Sequence, residues 1–203
     1  MKTNFLKYCL MAVSLSVVPF ASTYAADCVH KVGGLAPLSA PGSVTGGEAM
    51  RDAMLLAERD VNAAGGILGC DLEVVITDTE GLPEKATAMM EKLITQDGVV
   101  AVGGGYHSSV GVASKDVANA RGIPVVFAET WNDTITGDKQ KYIFRIAPLS
   151  SWASGVIWQF AAQAPGVKKV AIVTENTDYG IPAAKECEVG RGPKGIDLSL
   201  IHI

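Results

Sequence analysis

Polar residues follow one of the apolar runs of this 203-residue chain, and their types suit the binding of an anion. Tyr106, His107, Ser108 and Ser109 stand between the apolar run Val99–Val102 and a segment with helical spacing. Hydroxyl groups at the start of a helix lie beside unpaired backbone N–H groups and the positive end of the helix dipole. Such a helix start would bind a carboxylate. Ser108 alternatively serves only as the N-cap of the helix, and one serine can fill both roles.

A second polar run, Glu129–Asp133, follows the apolar run Ile123–Ala128. A carboxylate at Glu129 and an aromatic ring at Trp131 could together hold an ammonium group, by charge and by the face of the ring. The alternative is an exposed loop that caps a short helix. Tyr179 follows a later apolar run and could stack on a ligand from the opposite side, or it is an ordinary surface tyrosine.

Other chemistries have weaker signals. Gly103-Gly104-Gly105 follows a predicted strand, but it lacks the GxGxxG order of a dinucleotide site and has no acidic partner at the right spacing. The chain contains no nucleophile elbow, HExxH, P-loop or P-C-x-x-C motif, and its cysteines and histidines lack the spacing of a metal site. We therefore expect a protein that is not an enzyme and that has no cofactor or metal.

The elements that would position these residues alternate along the chain. Apolar, β-branched runs predict strands, and apolar residues three and four positions apart predict helices. The predicted strands are Val29–Leu38, Leu72–Thr77, Val99–Val102, Ile123–Ala128, Tyr142–Ile146 and Val170–Thr174. The predicted helices are Thr45–Ala64, a segment from Pro83, Ser108–Ala120, Trp152–Ala164 and a segment after Pro182.

This alternation predicts an α/β fold with a doubly wound parallel sheet covered by helices on both faces. Right-handed crossovers place every strand-to-helix loop at the carboxyl edge of such a sheet. We therefore expect Pro37–Thr45, Gly103–Ser109 and Glu129–Asp133 to lie together at that edge.

The first residues have the pattern of a secretory signal peptide. Lys2 and Lys7 come before the apolar run Tyr8–Phe20, and small residues follow up to Ala25. A transmembrane anchor is the alternative, although the apolar run is short for a membrane span. A lipoprotein signal is not favoured, because Asp27 stands where such a signal requires a small residue. We expect export of the chain and removal of residues 1–25.

If the chain is exported to an oxidising compartment, its cysteines can form disulfides. Cys28 and Cys70 each precede a predicted strand, and parallel neighbouring strands would start side by side, within bridging distance. The sequence allows either a Cys28–Cys70 disulfide or two unpaired, buried thiols. The net charge of −4 argues against a nucleic-acid partner, since no basic stripe is present to neutralise phosphates.

The end of the chain departs from the pattern. After Glu186 the predicted helix has no apolar stripe, and Leu198–Ile203 looks like the in-frame translation of a transposon end used in preparing sequencing libraries. We therefore expect residues 187–203 to be an aberrant tail and the chain to be a fragment.

The chain resembles the type I periplasmic binding proteins of the branched-chain amino acid (Leu/Ile/Val) transporter class. The resemblance rests on an ordered set of stretches: Gly34–Gly47, Asp60–Gly69, Gly103–Ser109, Gly122–Pro124, Phe144–Pro148 and Thr174–Gly180. It implies two α/β lobes that close on a ligand. Residues 26–147 would form the amino-terminal lobe and residues 151–186 the start of a truncated second lobe.

The resemblance also implies roles for single residues. Ser108 matches the serine that binds the ligand carboxylate, with Tyr106 beside it, and Tyr179 matches the tyrosine that the second lobe contributes. Glu129-Thr130-Trp131 replaces the small Ala/Thr loop of the family, and Thr45 replaces an aromatic residue of the pocket. A leucine-like ligand is therefore not favoured over another amino acid, an amide or a different small polar solute.

The resemblance implies that the protein is the substrate-binding protein of an ABC importer. It would act as a monomer, with a small-molecule ligand and with permease subunits as its partners in the membrane. An extracellular sensor domain for amino acids or amides is the alternative, and an exported enzyme comes third.

Overall fold

The computed structural model describes residues 28–190 and 196–202, so the predicted signal peptide at residues 1–25 lies outside the described residues. The elements of the first unit are β1 Val29–Ala36, α1 Val44–Ala63, β2 Asp71–Asp78, α2 Pro83–Thr95, β3 Ala101–Gly104, α3 Ser108–Arg121, β4 Val125–Phe127, α4 Thr134–Gly137 and β5 Ile143–Arg145. The second unit consists of α5 Ser150–Gln163, β6 Lys169–Thr174, α6 Gly180–Val189 and β7 Asp197–His202. None of the described helices is long and apolar enough to cross a membrane.

The first unit is built on a five-stranded parallel sheet with the order β2-β1-β3-β4-β5. The surroundings of two neighbouring glycines in β1 show which helix covers each face of the sheet. A Cβ at Gly33 would meet Leu93 of α2, whereas a Cβ at Gly34 would meet Met54 of α1. Because successive residues of a strand point to opposite faces, helices cover both faces of the sheet. The predicted α/β class and the parallel sheet are confirmed.

Local sequence explains where the helices begin and end. Pro83 is the first residue of α2, a position where its missing N–H costs no helical hydrogen bond. α3 ends at Gly122, which has a φ of 72°, and glycine adopts this left-handed conformation without steric cost. β3 starts two residues later than predicted, at Ala101, and continues to Gly103 and Gly104, which pair with Gly34 and Leu35 of β1.

The core of the first unit lies between the sheet, α2 and α3. Leu35, Leu93, Val110 and Phe127 are all completely buried. Phe127 is the last residue of β4, so its burial anchors the end of this strand. The loop that follows β4, which contains Glu129 and Trp131, therefore starts from a rigid point.

A disulfide joins the starts of β1 and β2. The two strands pair with Val29 opposite Asp71, which places Cys28 and Cys70 next to each other. Their Cα atoms are 4.9 Å apart and their sulfur atoms are bonded. Cys187, in contrast, has a free thiol that is buried in the second unit.

The second unit differs from the sequence expectation after Glu186. Helix α6 continues to Val189, because Cys187 is buried on the same face as Ala184 and so extends the apolar stripe. The indole N–H of Trp158 in α5 donates a 2.8 Å hydrogen bond to the carbonyl of Cys187. β7 pairs in parallel with β6, so the part of the predicted tail that the structure describes is mostly regular. Whether residues 187–203 are adapter-derived stays a prediction that resequencing the locus would test.

Candidate ligand-binding site

A cavity of about 490 Å³ lies at the carboxyl ends of the strands, between the two units. The residues that line it come from five strand-to-helix loops or helix starts: Ser43, Gly81, Tyr106, His107, Ser108, Ser109, Glu129, Trp131, Glu175, Thr177 and Tyr179. Of the nine residues that the sequence predicts to bind a ligand, seven line this cavity, and Thr45 and Thr130 do not.

The start of α3 forms one wall of the cavity. The first backbone bond of this helix runs from the N–H of Gly111 to the carbonyl of His107, so the N–H groups of Ser108, Ser109 and Val110 have no partner within the helix. Ser108 is only 2% exposed, yet it lines the cavity. This helix start thus presents several hydrogen-bond donors and the positive end of the helix dipole.

The hydroxyl of Ser108 acts as a hydrogen-bond acceptor for the neighbouring loop, and its hydrogen is not used. Its Oγ accepts hydrogen bonds from the backbone N–H groups of Trp131, at 3.2 Å, and Asn132, at 3.3 Å. A hydroxyl has two lone pairs and one hydrogen, so both acceptor positions of Ser108 are used. Its hydrogen makes no described bond and remains a donor for a ligand.

The loop between β4 and α4 forms the next wall. Glu129 and Trp131 line the cavity, and the indole N–H of Trp131 donates to Oε2 of Glu129 at 3.0 Å. Thr130, which stands between them, is completely buried and packs toward Gly105 and Gly111. Its side chain fills space against α3, so Thr130 does not line the cavity as the sequence predicts.

Arg145 supports this loop from β5. Its Nη1 donates to the carbonyls of Asn132, at 2.9 Å, and Thr130, at 3.4 Å. Burial lowers the pKa of Arg145 below its ordinary value, while the nearby carboxylate of Asp133 acts in the opposite direction. The guanidinium therefore holds the shape of the loop without lining the cavity.

Asn132 connects the two units. Its Nδ2 donates to the carbonyl of Asp178 at 2.7 Å, and its Oδ1 accepts from the backbone N–H of Thr134 at 2.9 Å. Asn132 is 4% exposed. The β4–α4 loop of the first unit is thus bonded directly to the loop of the second unit that contributes Tyr179.

His107 lies between the start of α3 and the start of α1. Its Nε2 accepts a long hydrogen bond, 3.4 Å, from the backbone N–H of Ser43, which leaves the proton of a neutral imidazole on Nδ1. That Nδ1 is buried and has no described partner. Burial lowers the pKa of His107, although the carboxylate of Glu175 acts to raise it. At neutral pH the ring is therefore an uncharged donor beside the cavity.

The loop between β6 and α6 closes the cavity from the second unit. Oγ1 of Thr177 accepts from the backbone N–H groups of Tyr179 and Gly180, and its hydroxyl donates to Glu175 at 2.7 Å. A Cβ at Gly180 would lie 2.0 Å from the carbonyl oxygen of Glu175, so only glycine fits there. This tight turn fixes Glu175, Thr177 and Tyr179 relative to one another.

Thr45 is exposed on α1 and lies outside the cavity, where Ser43 takes the predicted place. Ser43 precedes α1 and belongs to the loop at the strand ends, whereas Thr45 already lies in the first turn of the helix. The cavity also includes Gly81, Glu175 and Thr177, which the sequence analysis missed. Gly81 follows β2, and the rule that collects strand-to-helix loops at one edge could have identified it.

The glycine run after β3 is explained by packing. Gly104 has a φ of 97°, and a Cβ there would lie 2.5 Å from the carbonyl oxygen of Leu35. Gly105 has a φ of 79°, and a Cβ there would meet the ring of Phe127. Within residues 28–190 and 196–202, no three His, Cys, Asp or Glu side chains form a group that could hold a metal ion.

A second cavity of about 420 Å³ adjoins the first and shares Trp131, Glu175 and Tyr179 with it. Its other walls are mainly apolar and come from α5, β6 and α6, with Ile157 and Ile172 among them. The main cavity thus combines a donor-rich helix start, three aromatic rings and two carboxylates, next to an apolar recess. This arrangement suits a small, polar, carboxylate-bearing ligand held between two units.

Comparison with known proteins agrees with this arrangement. The family model of the periplasmic binding proteins matches residues 30–190. The leucine-, isoleucine-, valine-, threonine- and alanine-binding protein of Pseudomonas aeruginosa is 28% identical over 203 residues, which cover 100% of this chain and 54% of that protein.

Solved structures show the same fold. A branched-chain amino acid transporter substrate-binding protein of Streptococcus pneumoniae, in complex with isoleucine, matches with a TM-score of 0.77 and 29% identity, over 86% of this chain and 49% of that one. A solute-binding protein of an ABC transporter from R. palustris, in complex with benzoate, matches with a TM-score of 0.73 and 27% identity, over 86% and 48%.

The chain spans about half the length of the curated relatives it matches. These relatives are solute-binding proteins rather than enzymes, as the sequence predicts. The ordered motifs, the parallel sheet and the matched family model lead to one conclusion: the chain belongs to the periplasmic binding protein family, within the type I class of the branched-chain amino acid transporters.

Proposed function

We propose that this protein captures an amino acid or a similar small polar solute and delivers it to the permease of an ABC importer. The observation that carries the proposal is the start of α3, where Ser108 keeps a free hydroxyl hydrogen beside three unpaired backbone N–H groups at a cavity wall. Donors in this arrangement bind a carboxylate and add little for an uncharged group.

The position of the cavity supports capture by closure of two lobes. Its walls come from both units, and the hydrogen bond from Asn132 to the carbonyl of Asp178 links them beside it. A ligand that contacts both walls stabilises the closed arrangement over the open one, and the population shifts by the difference in affinity.

The relatives support the transport role. Two of the matched structures are binding proteins of transporters, one in complex with isoleucine and the other with benzoate. The family implies a periplasmic location. We propose that residues 1–25 direct export, that the protein acts as a monomer, and that membrane permease subunits receive the ligand.

A thermal-shift screen of the protein expressed from the complete gene tests the proposal. A ligand that binds only the native state raises the melting temperature by mass action. We expect at least one amino acid or small carboxylate to raise it, in proportion to the logarithm of its concentration. If no amino acid, amide or small carboxylate has any effect at millimolar concentration, the proposed function is wrong.

A further inference from the structure

The main cavity contains two carboxylates on walls that belong to different units. Glu129 follows β4 in the first unit, and Glu175 follows β6 in the second. Lys and Arg are absent from the residues that line the cavity. His107 does not supply a positive charge at neutral pH, because burial lowers the pKa of its imidazole.

Neutral groups are the only described partners of these carboxylates. Glu129 accepts from the indole N–H of Trp131, and Glu175 accepts from the hydroxyl of Thr177. Neither glutamate takes part in a described salt bridge. Arg145 lies behind the β4–α4 loop, where it donates to main-chain carbonyls. Both carboxylates therefore face the cavity with their charge uncompensated.

Three aromatic rings surround the same space. Tyr106, Trp131 and Tyr179 line the cavity together with the two glutamates. The faces of aromatic rings attract cations, and the attraction strengthens when water is excluded. Carboxylates and aromatic rings in one cavity are the combination that binds ammonium and guanidinium groups.

The start of α3, in contrast, requires a negatively charged group on the ligand. Its unpaired N–H groups and the hydroxyl of Ser108 accommodate one carboxylate. One carboxylate and one ammonium group, as in a neutral amino acid, would compensate only one of the two glutamates. Both glutamates are exposed in the structure, and a carboxylate that lobe closure desolvates without a cationic partner opposes binding.

We infer that the solute carries net positive charge, with one carboxylate for the start of α3 and two cationic groups for Glu129 and Glu175, as in a basic amino acid. This inference rests on the proposed function. It excludes a neutral aliphatic amino acid or an aromatic acid without a cationic group as the best ligand, because either would leave at least one of the two carboxylates unpaired when the cavity closes.

Calorimetric titration of the protein from the complete gene with L-lysine, L-arginine, L-norleucine, L-isoleucine and benzoate tests the inference. Norleucine matches lysine in chain length but lacks the ε-ammonium group, so the pair isolates the second cation. We expect lysine or arginine to bind at least about tenfold more tightly than norleucine, as for one charge-assisted hydrogen bond. Equal or tighter binding of norleucine, isoleucine or benzoate would overturn the inference and leave the proposed function intact. Binding of none of the five would also overturn the inference, while the wider thermal-shift screen decides the proposed function separately.

Single substitutions test whether Glu129 and Glu175 each contribute to the preference for a basic amino acid. E129Q and E175Q keep the shape of each side chain and remove its charge, so each should weaken the binding of lysine or arginine by about tenfold or more and leave norleucine unchanged or tighter. The control E84Q changes an exposed glutamate at the start of α2, outside the cavity, and should bind like the wild type. If E129Q and E175Q both bind the basic amino acids as the wild type does, while their melting temperatures without ligand are unchanged, the inference is wrong.

Discussion

Oγ of Ser108 lies 3.2 Å from the backbone nitrogen of Trp131 and accepts its hydrogen bond. The start of α3 and the β4–α4 loop are therefore joined through the atom that also faces the cavity. The bond fixes the backbone at Trp131 relative to α3 and uses an acceptor position of the hydroxyl, so the hydrogen of the serine stays available to a ligand. Replacing Ser108 should thus affect both the start of α3 and the β4–α4 loop.

The first prediction concerns this hydroxyl. S108A removes a ligand donor and leaves the backbone N–H groups of Trp131 and Asn132 without their acceptor. We expect solute affinity to fall about tenfold or more and the free energy of unfolding to fall by about 1–3 kcal/mol. Calorimetry and urea denaturation measure the two effects.

S114A is the matched control for this prediction. Ser114 lies on the same helix and is also buried, but its hydroxyl donates to the carbonyl of Val110 and does not line the cavity. The S114A variant should keep the affinity of the wild type. The N-cap of α3 is His107, and Ser108 bonds the β4–α4 loop, so a normal affinity for S108A would show that this serine only holds that loop.

The second prediction concerns the disulfide. Cys28 and Cys70 are 42 positions apart, and closing a loop of that size removes conformational entropy from the unfolded chain. Replacing both cysteines by serine should lower the free energy of unfolding by about 4 kcal/mol, from the loop-length relation. Urea denaturation without reductant measures the change. With reductant present, the wild type should fall to the stability of the double variant; a wild type that reductant does not affect would mean that the bond contributes nothing.

The third prediction concerns pH. The pKa of His107 is lowered in the folded state, chiefly by burial, so the unfolded chain binds the proton more readily. The stability from this group is complete above the ordinary histidine pKa of about 6.5 and declines as the pH falls below it. We therefore expect a smaller free energy of unfolding at pH 5.5 than at pH 7.5.

The variant H107Q should show a weaker dependence on pH between these two values, because glutamine does not titrate and its oxygen could still accept from the N–H of Ser43. H30Q is the control, since His30 lies in β1 and does not line the cavity. If H107Q keeps the full pH dependence of the wild type, His107 is not its source.

The fourth prediction concerns the turn before α6. In G180A the new methyl group would lie 2.0 Å from the carbonyl oxygen of Glu175, so the backbone of the turn must move and carry the Glu175 side chain with it. We expect a loss of solute affinity of about tenfold or more, together with destabilisation of about 1–3 kcal/mol. Calorimetry and thermal denaturation check the two effects.

G155A provides the comparison. Gly155 lies within α5, and a Cβ there has nothing within 4 Å. Alanine is the better helix former, so G155A should stabilise the protein by about 0.5–1 kcal/mol without changing its affinity. Equal stability of G180A and the wild type would mean that the turn tolerates a side chain.

Much of the fold could be predicted from the sequence because its signals are local. Apolar β-branched runs and helical spacing identified the alternation of strands and helices, and the alternation implied a parallel sheet with its loops at one edge. Pro83 and Gly122 marked a helix start and a helix end, because proline lacks a backbone N–H and glycine readily adopts the left-handed conformation. Six of the seven predicted residues that line the cavity follow from this one topological rule, and Tyr179 follows a strand of the other sheet.

Tertiary structure alone decided which side chain of each loop faces the cavity. Ser43 rather than Thr45 lines it because α1 begins at Val44, and Trp131 rather than Thr130 lines it because the latter fills a gap against α3. One residue of shift reverses the direction of a side chain in an extended segment, and sequence patterns do not locate boundaries that finely.

The sequence by itself determined the class of the protein: an α/β chain whose polar loops gather at one edge of a parallel sheet. The facing of Glu129 and Glu175 across one cavity was decided by the tertiary structure. The two residues follow strands of different sheets, and α5 carries the chain from one unit to the other. No local pattern encodes that path, because it results from packing between elements far apart in the sequence.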